Sequence, residues 1–94
     1  MQNLPRIEVG SKAEAVVEMV DETRVRIELL LDGENVSEEI FDSTKFVDLR
    51  NCCNLFDSVE SLSLLKISKK SRELMKKIRK LLFEKLSETH EQLE

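Results

Sequence analysis

The sequence predicts an α+β fold, a three- to four-stranded antiparallel meander packed against a long C-terminal amphipathic helix. Apolar and polar residues alternate from about residue 6 to 41, the signature of half-buried strands. An Asp32-Gly33 pair separates two of the alternating runs, a strong signal for a tight hairpin turn. Residues 69–93 hold no Gly or Pro and repeat apolar residues every three or four positions. A length of 94 residues fits one domain, spanning 1–94: meander at about 6–41, short helix or strand at 42–67, long helix at 68–93.

The first strand is read from Ile7. Ile7, Val9, Ala13, Ala15, Val17 and Met19 fall on odd positions, and Arg6, Glu8, Lys12, Glu14 and Glu18 on even ones. Gly10-Ser11 marks a bulge or bend within it. A helix over Ser11 to Val20 is the rival reading, because Ala and Glu favour helices. After the polar break Asp21-Glu22-Thr23, Val25, Ile27, Leu29 and Leu31 form the cleanest alternation. The return strand follows Gly33, from Glu34 to about Phe41.

Phe46, Leu49, Cys52 or Cys53, and Phe56 recur at helical spacing, with Ser43 or Thr44 as the expected N-cap. Asp57 to Ile67 supports either a fourth strand, from the alternation around Leu62 and Leu64, or the start of the last helix. In that last helix Leu74, Met75, Ile78, Leu81, Leu82 and Leu86 share one stripe. Ser68 or Ser71 is the expected cap, the stripe is expected to dock on the sheet, and its far end to pair with a second copy. Phe83 falls on the polar side and Lys85 near the stripe.

Composition excludes several classes of function. Two adjacent Cys cannot build a disulfide framework, and one His with two Cys argue against an all-protein zinc site within the chain. Two separated Gly leave no phosphate-cradling loop. No metal and no cofactor is therefore expected. No apolar run approaches the ~20 residues of a membrane-spanning helix. Glu8, Lys12, Glu14 and Glu18 interrupt any leader-like apolar stretch, so a cytoplasmic protein with reduced thiols is expected.

The net charge of −4 conceals a strong asymmetry. Residues 1–65 hold 6 basic and 14 acidic residues, residues 66–85 hold 9 and 2, and residues 86–94 hold three Glu. The three segments carry −8, +7 and −3, which add to −4. Lys69, Lys70, Arg72, Lys76, Lys77, Arg79 and Lys80 lie on the polar side of the last helix. Such a face suits an acidic protein surface, by charge complementarity, or the phosphates of a nucleic acid. Solvated lysines on an exposed helix are the plainest alternative.

Aromatics are 4% of the chain, all of them Phe, which leaves no stacking platform for single-stranded bases. The expectation is a non-catalytic binding or assembly module for an acidic protein partner, with a homodimer expected. A small nucleic-acid-binding regulator is the alternative, and a membrane surface is not expected.

Candidate chemistry elsewhere is sparse. Cys52-Cys53 reads as a pair of small buried hydrophobes rather than a vicinal disulfide, whose geometry is disfavoured. His90 lies near the chain end amid Glu88, Glu91 and Glu94, and the carboxylates mark no pocket for acid/base work, so no enzyme is expected. Leu49 to Leu55 resembles a single leucine-rich repeat, but a solenoid needs several. Phe46-Val47-Asp48-Leu49 with Asp57-Ser58 resembles the strand-to-helix junction of STAS domains. Glu60 replaces the small residue of that pattern, and neither family is carried forward.

Overall fold

The computed structural model describes residues 12–62 and 64–93, with side chains as far as residue 88. The elements are β1 (Ala13–Met19), β2 (Arg24–Leu31), β3 (Glu34–Asp42), α1 (Phe46–Glu60), β4 (Leu65–Ile67) and α2 (Lys69–Leu93). They form one sheet, in the order β3-β2-β1-β4, covered by two helices. The class is α+β, and the first three strands are the expected antiparallel meander. The proposed strand start at Ile7 and the Gly10-Ser11 bend lie outside the described residues.

The Asp32-Gly33 turn has the positive φ values such a hairpin requires, 51° and 85°. Asp32 also donates its N–H to the Lys12 carbonyl at 2.7 Å and accepts the Lys12 N–H on Oδ1 at 2.9 Å. The hairpin tip is thereby tied to the start of β1. The opposite turn is organised by Asp21, whose Oδ1 accepts the N–H groups of Thr23 and Arg24, each at 2.9 Å. These bonds and the Arg24 guanidinium hold the Asp21 carboxyl down at about 2.

The fourth strand departs from a purely antiparallel meander. β4 runs parallel to β1, with Ala13 opposite Leu65 and Ala15 opposite Ile67. A parallel neighbour needs a long crossover, and the 15 residues of α1 supply it. The ambiguous segment 57–67 thus divides: α1 runs on to Glu60, and only Leu65–Ile67 is strand.

The expected Ser43 or Thr44 cap does not form. Lys45 occupies the N-cap position without a side-chain bond. Both hydroxyls are engaged elsewhere, Ser43 Oγ on the Thr23 carbonyl and Thr44 Oγ1 on Asp42 Oδ1, each at 2.6 Å. Asp48 in the first helical turn accepts the Asp42 N–H at 2.8 Å instead.

Alternation sends Ala13, Ala15, Val17, Val25, Ile27 and Leu29 beneath the helices, where all are buried. Val17, Val25 and Ile27 meet Leu49, Cys52, Cys53 and Phe56 of α1 and Met75 and Ile78 of α2 in the main core. The β3 edge is acidic, carrying Glu34, Glu38, Glu39 and Asp42. Glu39 lies opposite Ile27 in the register, and partial burial raises its pKa.

β4 ends opposite Ala15, so among the described residues no strand reaches Val17 on that side. The buried Ser71 of α2 stands in for it. Val17 N–H donates to Ser71 Oγ at 3.1 Å. Ser68 supplies the helix cap, its Oγ accepting the Ser71 N–H at 3.1 Å.

Candidate functional site

α2 places the predicted basic residues in three different settings. Its inward stripe is fixed by Ser71, Met75 and Ile78, all buried, with Leu74 and Leu82 packed half-buried beside them. Leu81 and Leu86, expected to dock on the sheet, are 38% and 47% exposed.

Arg79 is turned inward. Its guanidinium donates to Asp57 Oδ1 at 2.9 Å and to Glu60 Oε1, and lies 5.6 Å from the Phe56 ring centroid. Burial opposes its charge, and Glu60 and Asp57 outweigh that effect, so its pKa rises. Arg79 is thus a clamp between α2 and the end of α1. Sequence reasoning placed it with the free cations because its partners lie 19 and 22 residues away, beyond any local spacing rule.

The five lysines Lys69, Lys70, Lys76, Lys77 and Lys80 are exposed, and none forms an ion pair with a described residue. Arg72 is also exposed, with its Nε bonded to the Ile67 carbonyl at 3.3 Å. At about 100° per residue the cations divide between two flanks. Lys69, Arg72 and Lys76 lie on the side toward Arg79, Lys70 and Lys77 lie about 120° round the helix from them, and Lys80 falls between the two groups. Phe83 falls among the first group and is 70% exposed.

A half-open cleft of about 320 Å³ lies along that first flank, lined by Lys69, Arg72, Glu73, Met75, Lys76 and Arg79 from α2 and Glu60 from α1. The buried Met75 gives it an apolar element. Its lining carries four cationic and two acidic side chains, one of each already joined in the Arg79–Glu60 pair. Glu60, Glu73 and Met75 carried no functional signal in the sequence, since a cleft between helices has no local spacing.

The remaining candidates are arranged differently. Cys52 and Cys53 are free thiols, 1% and 7% exposed in the core. Burial, with neighbouring Cys53, Asp48 and Glu39, pushes the Cys52 thiol up to about 12. Burial also raises Cys53, against the opposing effect of Arg79. Both are protonated near neutrality, unlike an activated nucleophile. The His90 side chain lies outside the described residues. Among the described residues no three His, Cys, Asp or Glu form a metal-holding group, and no helix is long and apolar enough to cross a membrane. No protein family, no curated protein and no solved structure matches the chain.

Proposed function

We propose that this protein is a non-catalytic binding or assembly module of the cytoplasm that contacts an acidic protein partner through the basic face of α2. The observation that carries the reading is a set of exposed lysines that form no ion pair with a described residue, placed beside an exposed Phe83. Lysines that answered the chain's own acidic residues would be paired, as Arg26 is with Glu18 and Glu38 on the sheet. A large exposed aromatic among charges suits a protein interface, where aromatic residues supply apolar area inside a polar rim. The four Phe are the chain's whole aromatic content and make no stacking platform for bases, which favours protein over nucleic acid.

The test is a titration against a labelled poly-glutamate peptide and against duplex DNA and RNA of matched charge, each at low and moderate salt. Salt-sensitive binding of the peptide, tighter than that of either nucleic acid, supports the reading. No peptide binding at low salt, or preference for nucleic acid, overturns it.

A further inference from the structure

The two flanks of α2 are not equivalent. Lys69, Arg72 and Lys76 border the cleft together with Glu60 of α1, whereas Lys70 and Lys77 do not line it. Arg79, the fourth cation of the cleft, is held by Asp57 and Glu60 and contributes little free charge. Free positive charge therefore concentrates at Lys69, Arg72 and Lys76, three cations against the single carboxylate of Glu73. Arg72 is suited to grip a carboxylate, because its Nε is occupied by the Ile67 carbonyl while its planar guanidinium retains further donors. Phe83 continues the same flank, seven residues or about 10 Å beyond Lys76.

We infer that the acidic partner is read at this cleft, with a carboxylate seated between Lys69, Arg72 and Lys76 and an apolar side chain against Phe83, a proposal that rests on the acidic-partner reading above. The recognised element is a short acidic segment bearing an apolar residue roughly 10–17 Å from its acidic anchor, the span from Lys76 or Arg72 to Phe83. Negative charge gives attraction and orientation, and the apolar contact gives discrimination.

Two double variants with the same net charge test the inference. A labelled peptide of Asp and Glu carrying one Phe is titrated into the wild type, Arg72→Ala/Lys76→Ala and Lys70→Ala/Lys77→Ala, with circular dichroism confirming that each is folded. The cleft-side pair is expected to weaken binding roughly tenfold and the far-side pair less than about twofold. Phe83→Ser is expected to abolish the preference for the Phe-bearing peptide over one without it. Equal losses in the two double variants overturn the cleft while leaving a diffuse basic face in place. Absence of peptide binding in the wild type, or tighter binding of single-stranded DNA of equal charge, overturns both readings. An unchanged peptide preference in Phe83→Ser removes the apolar contact from the proposal.

Discussion

Ser71→Ala would isolate the one side chain that substitutes for a strand. Ser71 is 3% exposed and accepts the Val17 N–H at 3.1 Å, at a point where β4 has already ended. Alanine fills most of the same space but leaves that amide buried and without a partner. An unsatisfied buried donor costs about 1–3 kcal/mol. A domain of this size holds a total stability of roughly 5–14 kcal/mol, so the loss is a substantial share. At about 4–8 °C per kcal/mol, Tm should fall by roughly 4–24 °C.

Urea unfolding followed by circular dichroism would measure the energy, and amide hydrogen exchange would locate it. Val17 should lose protection while Ile27, at the centre of β2, keeps protection set by global stability. Ser68→Ala is the control. It should cost about 1 kcal/mol through the helix cap without selectively exposing Val17. A Ser71→Ala protein within about 0.5 kcal/mol of wild type, with Val17 exchange unchanged relative to Ile27, would refute the reasoning.

The two thiols should resist a thiol-reactive dye in the native protein at pH 8 and both react once urea unfolds the chain; rapid native labelling would contradict their burial. Glu39→Gln should raise Tm at pH 7, because partial burial disfavours the Glu39 carboxylate and raises its folded pKa. The gain should shrink as pH falls through the carboxylate range, since Glu39 is then protonated in both states; a pH-independent difference would argue against that origin. Leu81 and Leu86 present apolar area on the outer part of α2, so sedimentation at rising concentration should show self-association that Leu81→Glu/Leu86→Glu abolishes. A strict monomer at high concentration would remove the homodimer from the reading.

Where contacts are local, the residue pattern carried the fold. The alternation of Val25, Ile27 and Leu29 placed three buried side chains correctly, and Asp32-Gly33 adopted the backbone its residue types favour. The long helix begins at Lys69, one residue after its Ser68 cap. Where the determining partner is distant, the pattern fell short. The alternation around Leu62 and Leu64 suggested a fourth strand, but β4 is three residues long and depends on β1 for its pairing, so the pattern fixed neither its bounds nor its direction. Ser43 and Thr44 looked like caps in isolation, yet their hydroxyls serve Thr23 and Asp42. The basic face was legible as charge. Its division into a cleft side and a bare side was not, because that depends on where Glu60 sits and on the capture of Arg79.

The two borders of the sheet have a consequence for solubility. An open strand is a template on which other chains can polymerise edge to edge. On one border β4 is only three residues long, and beyond it Ser71 occupies Val17, leaving little backbone for an intruding strand. The other border, β3, offers nine residues of backbone but spaces four acidic side chains along them, so a second β3 would approach against like charge. One flank is thus guarded by geometry at any pH, the other by ionisation alone. Acidification into the carboxylate range would disarm only the second, and fibrillar association at low pH would begin at β3.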